Sequence, residues 1–389
     1  MKKVLSFLLF ISLIYGVPST AAAQNTVNAN VAVAASGQSL GIANGAHIRP
    51  VTNYGDAVNT YNSTSGKPLA IVMYFTDWSG IPNNPAVFDG YLPDQIRASV
   101  PPSNYPVIML TWQPMNGRAS EGCDKDYGTS IPLSTITQGK CDNYLREFAA
   151  ELSMRPERFM LRFAHEMNIT DSPWWPGHYS QDASAYVAMW KHVHDVVAGI
   201  QNTYGKHNIE WVWSINYASN PSDAWNAIPN YYPGNAYVDW IGVSGYNWYN
   251  APGHNIPWKS FCDLFDSVLR SLASSYAKPQ VLTEIGSAGS ATEKAGWIQD
   301  AFSKMPQYPF LRGVVWFNDF AYASPSQADF RVINTPYFSS YPVSGQVLSA
   351  YQNAIGSSTF TSTLPALSAA TPSGTVNQNK RVFVPVLKK

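Results

Sequence analysis

Residues 158–168 read RFMLRFAHEMN, an apolar run that ends on the polar residues His165, Glu166 and Asn168. A run that is apolar on both faces is typical of a parallel strand covered by helices. Seven more such runs occur, each followed by a segment long enough for a helix, at 40–46, 69–77, 106–113, 209–216, 238–248, 280–286 and 311–319. Eight of these units predict an α/β fold, a (β/α)8 TIM barrel forming a single catalytic domain.

Most of the runs end in polar and aromatic residues, as the fourth does. The ends read TDW at 76–78, TWQ at 111–113, YNW at 246–248 and WFND at 316–319. Barrel enzymes build their sites at the C-terminal ends of the strands, so these clusters predict an active-site mouth. A doubly wound open sheet is the competing architecture, but the chain has no GxGxxG turn.

Charge is scarce and balanced along the 389 residues. Lys plus Arg and Asp plus Glu each number 25, and charged residues make up only 13% of the chain. No basic surplus exists to attract a nucleic acid. Aromatic residues reach 14%, which favours an uncharged partner on which rings stack, such as a sugar.

The two ends of the sequence predict export and define the domain organisation. Residues 1–23 combine two lysines, an apolar run and a small-residue cleavage site, the pattern of a signal peptide. No later run is long enough to span a membrane, and a secreted, extracellular monomer is expected. We assign 24–39 to a loose segment, 40–356 to the catalytic domain, and 357–389 to a linker and short C-terminal tail.

Three cysteines fit an oxidising compartment. A disulfide between Cys123 and Cys141 would close a short loop and contribute about 3 kcal/mol in the chain-entropy model. Cys262 lies in an apolar helical pattern and is expected to be a buried thiol.

Two glutamates stand at strand ends, Glu166 on the fourth run and Glu284 on the seventh. Glycosidic cleavage by the usual route needs two carboxyl groups that flank one bond. Walls rich in rings would keep one of them protonated, because desolvation raises the pKa of a carboxyl group. Ile169 stands where an HExxH zinc motif would continue, and no GxSxG serine motif is present. We expect neither a metal nor a cofactor.

The stretch RFAHEMN at 162–168 resembles the signature of glycoside hydrolase family 26. That family consists mostly of β-mannanases, with some mixed-linkage β-glucanases and xylanases. Residues 231–248 and 282–286 resemble the family's sixth and seventh strands, and the resemblance covers about 40–355. It implies a (β/α)8 barrel and hydrolysis with retention of configuration, which requires carboxyl groups about 5–5.5 Å apart.

The resemblance also implies roles. Glu166 would be the general acid and then the base, and Glu284 the nucleophile. Tyr246 would donate a hydrogen bond to Glu284, and Arg162 would point into the barrel near Glu284 and favour its charged form.

Further residues are expected to bind the sugar chain. His165 would contact the sugar near the cleavage point, and Trp316 would form a platform beneath it. Asp319 either binds a sugar hydroxyl or caps the last loop. The other candidates are residues at strand ends or on loops: Trp78, Trp112, Asn168, Trp174 and Trp175.

The leading hypothesis is a retaining endo-β-glycanase acting on β-1,4-mannan. At the end of strand three, however, Gln113 stands where mannan-cleaving relatives often carry a histidine. Mixed-linkage β-1,3-1,4-glucan or xylan therefore remains an alternative, as does action on chain ends instead of internal bonds. A non-catalytic carbohydrate-binding barrel is a third hypothesis, although a binder has no need of paired carboxylates.

Overall fold

The computed structural model describes residues 41–49, 53–78, 92–115, 123, 131–178, 180–252, 255–321, 328–365 and 367. The predicted signal peptide and the loose segment at 24–39 lie outside the described residues. Within these ranges, no helix combines the length and apolar character that crossing a membrane requires.

Eight parallel strands form a closed barrel, so the predicted (β/α)8 fold is confirmed. They are β1 (Ile42–Ile48), β2 (Ile71–Asp77), β3 (Val107–Gln113), β4 (Phe159–Phe163), β5 (Ile209–Asn216), β6 (Trp240–Asn247), β7 (Gln280–Ser287) and β8 (Leu311–Asn318). Neighbours in the chain pair with each other, and β8 pairs with β1 to close the ring.

Helices surround the barrel. They are α1 (Tyr54–Ser65), α2 (Leu92–Ser99), α3 (Leu133–Thr137), α4 (Asp142–Ser153), α5 (Ala183–Tyr204), α6 (Phe261–Tyr276), α7 (Ala291–Lys304) and α8 (Gly345–Gly356). Local sequence fixes where several begin: Ser260 and Ser290 start α6 and α7 with capping boxes, in which side chain and backbone bond reciprocally. Buried aliphatic and aromatic side chains fill the space between helices and barrel.

Inside the barrel, side chains form an apolar layer with a polar layer above it. The lower layer includes Met73, Met109, Met160, Val212, Val281 and Val315. Side chains alternate along a strand, so the residues two positions further on also point inward. On β3, β4, β5 and β7 these are Thr111, Arg162, Ser214 and Thr283, all fully buried. The polar interior therefore begins one layer below the mouth, the C-terminal end of the barrel.

The disulfide at Cys123–Cys141 joins the connection after β3 to the start of α4. Cys262, by contrast, is exposed on α6. The expectation of a buried thiol was wrong because the neighbouring Phe261 occupies the inward position on that helix.

The start of the segment predicted as a linker is packed against the barrel. Phe360–Thr361 form a short strand, β9, parallel to β1. Leu364 is buried with the lower apolar layer, and Arg158 donates to the carbonyl oxygens of Leu364 and Pro365 at 2.6 and 2.9 Å. The boundary placed at residue 356 is therefore too early, because this segment covers the N-terminal end of the barrel.

Truncating Leu364 tests this covering role. Leu364→Ala should lower the free energy of unfolding by about 2–3 kcal/mol, because a cavity replaces packed methyl groups. Urea denaturation followed by tryptophan fluorescence measures the change. Thr363→Ala, at an exposed neighbour, is the matched control and should be within about 0.5 kcal/mol of the unaltered protein. Equal stability of the two variants would contradict the assignment.

Candidate active site

A buried ion pair lies at the centre of the polar layer. Arg162 on β4 is fully buried, and its Nη1 donates to Oε1 of Glu284 on β7. The other guanidinium bonds go to hydroxyl groups: Nε to Ser214 at 2.9 Å, Nη1 to Thr111 at 3.2 Å and Nη2 to Ser244 at 2.7 Å. All three nitrogens are thus satisfied, as a buried charge requires. Arg162 therefore lies near Glu284, as expected. It does not reach solvent, and its role there is that of the ion-pair partner of Glu284.

Thr283 ties this hydroxyl cage together. Its Oγ1 lies 2.9 Å from Oγ of Ser214 and 3.1 Å from Oγ of Ser244, within hydrogen-bond distance of both. The cage therefore draws a hydroxyl group from each of four strands, β3, β5, β6 and β7. It fixes the guanidinium, and through it the position of the Glu284 carboxylate.

A β-bulge in β7 brings Thr283 and Glu284 to the same face. Leu282 pairs with Val243 of β6, and Glu284 pairs with the next residue, Ser244, which leaves Thr283 as an extra residue in β7. Pairing with β8 is interrupted at the same place. Strict alternation would turn one of two successive side chains outward, whereas a bulge re-aims it. This irregularity lets the chain supply a cage hydroxyl and the candidate nucleophile consecutively.

Tyr246 on β6 completes the surroundings of Glu284. Its phenol donates to Oε2, the carboxylate oxygen that Arg162 leaves free. Burial, followed by the charges of Glu284 and Glu166, raises the pKa of Tyr246 well above its ordinary value, so the phenol keeps its proton and remains a donor. The predicted contact between Tyr246 and Glu284 is present in the structure.

Glu166 lies in a strained turn directly after β4. Both Ala164 and Glu166 have positive φ angles, 42° and 54°, a region that non-glycine residues rarely adopt. Three side chains hold the turn by donating to successive carbonyl oxygens: Tyr186 to Ala164 at 3.0 Å, Trp174 to His165 at 2.7 Å and Ser172 to Glu166 at 2.5 Å. The backbone amide of Glu166 donates to the backbone carbonyl oxygen of Ser214 on β5 at 2.8 Å. Strain held in this way is a feature of functional sites.

The environment of Glu166 differs from that of Glu284. Burial first, and then the negative charge of Glu284, raise the pKa of Glu166 to about 7. Its nearest amide donor, Nδ2 of Asn216, lies 3.5 Å from Oε1. The two carboxyl groups are near enough for their charges to act on each other and on Tyr246. We call the space bounded by Arg162, Glu166, Tyr246 and Glu284 the pit.

His165 borders the pit as a neutral ring. Burial, together with the charge of Arg162, lowers its pKa well below the ordinary histidine value. Within the described chain, its buried Nδ1 has no hydrogen-bond partner. Its ring is 5.3 Å from that of Trp174. The contact between His165 and a sugar stays a prediction.

Several residues expected to bind sugar face away from the pit. Trp112 stacks on Phe148 of α4 at 4.1 Å, and Trp316 packs 5.9 Å from Trp297 of α7. Like these two, Trp78 is fully buried, and its ring is 5.0 Å from that of Trp112. The platform predicted for Trp316 and the stacking roles of Trp78 and Trp112 were therefore wrong. On their strands, Trp112 and Trp316 occupy positions that alternate outward toward the helices.

Three other predicted contacts are structural. Trp174 is 1% exposed and holds the turn at Glu166. The buried amide of Asn168 bonds the backbone carbonyl oxygen and N–H of Asn216 at 3.0 and 2.9 Å. Asp319 is fully buried and accepts from the amide of Phe320 and from Arg49 Nε, both at 2.8 Å. Burial alone would raise the pKa of Asp319, but His47 and Arg49 hold it below its usual value.

The rings that do face the mouth are ones the sequence reading missed. Phe75 and Phe317 are partly exposed at inward positions of β2 and β8. The Phe317 ring stacks on His47 at 5.0 Å and lies 5.6 Å from Tyr246. Phe75 and Phe317 lie two positions after Met73 and Val315, which point into the apolar layer. Counting every second residue along each strand would therefore have identified these rings instead of Trp112 and Trp316.

Trp175 is the tryptophan among the predicted set that stays partly exposed. Its ring lies 5.5 Å from Trp225, also partly exposed, on the short 3-10 helix Ala224–Asn226 after β5. The two rings form a surface on the Glu166 side of the mouth.

Among the described residues, no group of three or more His, Cys, Asp and Glu side chains is arranged to hold a metal ion. A closed parallel barrel with two carboxyl groups in its mouth, one flanked by an arginine and a tyrosine, is compatible with chemistry that uses two carboxyl groups, as glycosidic cleavage does.

Comparison with known proteins shows what the chain is similar to. The model of glycosyl hydrolase family 26 matches residues 144–327. Endoglucanase H of Acetivibrio thermocellus is 27% identical over 319 residues, which cover 81% of this chain and 31% of that protein. The chain thus matches about a third of that relative's length. Both matches are to glycoside hydrolases, and the first makes this chain similar to family 26 over residues 144–327.

Solved structures agree in fold. The catalytic domain of a Bacillus sp. JAMB-750 GH26 endo-β-1,4-mannanase superposes with a TM-score of 0.58 at 19% identity, covering 82% of this chain and 86% of that one. A Cellulomonas fimi endo-β-1,4-mannanase double mutant gives 0.55 at 18%, covering 82% and 71%.

Thr283 provides a test of the hydroxyl cage. Thr283→Val keeps the shape but removes the oxygen bonded by Ser214 and Ser244, and we expect kcat to fall about tenfold, with a loss of about 1–3 kcal/mol in stability. Thr283→Ser keeps the hydroxyl group and should recover most of kcat. Hydrolysis rates and thermal unfolding of both variants measure these effects. If valine and serine lowered kcat equally, the hydroxyl would have no positioning role.

Proposed function

We propose that the protein hydrolyses a β-1,4-linked polysaccharide with retention of configuration, by double displacement between Glu284 and Glu166. The observation that carries this proposal is the difference between the two carboxyl groups of the pit. Each oxygen of Glu284 accepts from a separate donor, Arg162 or Tyr246. Glu166 has a pKa raised to about 7. Paired carboxyl groups in contrasting environments are the usual division into nucleophile and acid.

In the first step, a carboxylate oxygen of Glu284 attacks the anomeric carbon while the glycosidic bond breaks. Glu166 gives its proton to the departing oxygen, and a glycosyl ester on Glu284 results. In the second step, Glu166 takes a proton from water, whose oxygen attacks the anomeric carbon. The ester bond breaks, and both carboxyl groups return to their starting states with the configuration retained.

The strained turn at Glu166 supports the proposed role of this residue as acid and base. Hydrogen bonds hold the backbone of this turn, and the Glu166 carboxyl group has no salt-bridging cation of its own among the described residues. A group held in this way can exchange a proton in both steps, whereas Glu284, tied to Arg162 and Tyr246, stays an acceptor.

We propose β-1,4-mannan as the first candidate polymer, on the basis of the family resemblance. A mixed-linkage β-glucan is the second candidate, and a specific observation favours a glucan: the relative that is 27% identical over 319 residues is named an endoglucanase. Gln113, partly exposed at the end of β3, also departs from the histidine often found in mannan-cleaving relatives. The signal-like residues 1–23 favour action outside the cell.

The pH profile tests the role of Glu166. Because the protonated form donates in the first step and the pKa is about 7, kcat/KM should fall as the pH rises through about 7. Rates measured from pH 4 to pH 9 on a soluble substrate give the profile. In Glu166→Gln this alkaline limb should disappear along with most of the activity. An alkaline limb that persists in the variant would assign the titration to another group.

A second test separates catalysis from binding and identifies the polymer. Glu284→Ala should lower hydrolysis by more than about a thousandfold, because no covalent intermediate can form, while oligosaccharide binding by calorimetry persists. Reducing-sugar release from mannan, galactomannan, barley β-glucan and xylan, assayed in parallel, ranks the substrates. NMR of the first product anomer distinguishes retention from inversion. Unchanged turnover in Glu284→Ala, or inversion, would overturn the mechanism.

A further inference from the structure

A cavity of about 200 Å³ lies at the rim of the barrel, where the end of β1, the first turns of α1 and the segment after β8 meet. Its lining includes Arg49, Asn53, Asp56, Thr60, Asn334 and Pro336, none of which bounds the pit. We propose that this rim cavity is an additional sugar subsite, which binds one uncharged pyranose unit of the glycan with Arg49 as its main donor. The inference rests on the proposed function and extends it to a second binding position.

Contacts fix the guanidinium of Arg49 along one of its edges. Its Nε donates to Oδ2 of the buried Asp319 at 2.8 Å, and its guanidinium carbon lies 5.3 Å from the centre of the Tyr337 ring. Among the residues that the structure describes, no partner takes the two terminal nitrogens, and the side chain is 35% exposed. A guanidinium fixed in this way loses little conformational freedom when its open edge meets a ligand.

Two amides of the lining are fixed in a similar way. Oδ1 of Asn53 accepts from the amide of Asp56 at 3.0 Å, and Oδ1 of Asn334 accepts from the amide of Val343 at 2.6 Å. Each bond leaves an NH2 group that has no partner in the described chain. The Asp56 carboxylate supplies an acceptor on the same lining. Fixed donors next to an acceptor match sugar hydroxyl groups, which both donate and accept.

The charge and size of the cavity select the class of ligand. Asp319 balances the charge of Arg49, and Asp56 adds a negative charge, so the lining does not favour an anion. The volume of about 200 Å³ is below the roughly 300–1,000 Å³ of sites for drug-sized ligands, which suits a single ring. Tyr337, 49% exposed, presents an aromatic face beside the guanidinium.

Contacts link the rim cavity to the pit. Asp319, which holds Arg49, also lies 3.4 Å from Nε2 of His47. His47 stacks on Phe317, and Phe317 lies next to Tyr246, the partner of Glu284. Phe317 is partly exposed, so a glycan that occupied both the pit and the rim cavity would pass over Phe317. The cavity should matter only for chains long enough to reach it.

The test measures how activity depends on chain length. Thr60→Trp fills the cavity from an exposed position on α1, and Asp56→Ala removes an acceptor without adding bulk. Ser63→Trp, an exposed position one turn further along α1 and outside the lining, is the matched control. We would measure kcat/KM on β-linked oligosaccharides of increasing length, for each polymer that the unaltered enzyme cleaves.

On the longest substrates we expect kcat/KM to fall about tenfold in Thr60→Trp, because the new side chain fills the cavity. In Asp56→Ala we expect kcat/KM to fall about threefold, as the loss of a hydrogen bond to a charged group typically gives. On the shortest cleaved substrate both should match the control. Unchanged rates at all lengths, or an equal loss at every length, would overturn the subsite. Failure of the proposed function would instead appear as no hydrolysis by the unaltered protein, and the same length series measured as affinity by calorimetry would then decide the subsite.

Discussion

The site depends on burying Arg162 and Glu284 together inside the barrel. Taking two charges out of water costs several kcal/mol per ion, and their attraction offsets that cost only when every remaining donor and acceptor is satisfied. Hydroxyl groups from three strands meet this condition for Arg162, and Tyr246 meets it for the second oxygen of Glu284. The polar layer is thus a single network in which each member fixes the next, and the position of Glu284 follows from the position of the strands.

The contrast between Glu166 and Glu284 has the same physical origin. The cation that neutralises Glu284 is bonded to it and surrounded by hydroxyl groups, so it compensates the charge of Glu284 more than that of Glu166. Glu166 consequently experiences burial and a neighbouring negative charge, which both favour its protonated form. One ion pair therefore places the two carboxyl groups in different surroundings, with Glu284 bonded to a cation and Glu166 without one among the described residues, as acid and nucleophile require.

Aromatic residues serve two separate purposes in this barrel. The tryptophans at the strand ends mostly pack between barrel and helices, or hold the turn at Glu166 as Trp174 does. The phenylalanines Phe75 and Phe317 and the histidine at position 47 line the mouth. Tryptophan has the larger apolar surface to bury, so its abundance reflects packing of the large core at least as much as sugar binding.

The sequence by itself determined the barrel, the resemblance to one hydrolase family and the two glutamates, because apolar runs with polar ends repeat eight times and the residues around Glu166 and Glu284 are local in the chain. It also indicated the partners Arg162 and Tyr246. Tertiary structure alone decided which ring at a strand end faces the mouth, since a shift of one residue reverses the direction of a side chain. The bulge at Thr283, the packing of Leu364 beneath the barrel and the cavity at Arg49 likewise arise from contacts between segments distant in the chain, which no local pattern encodes.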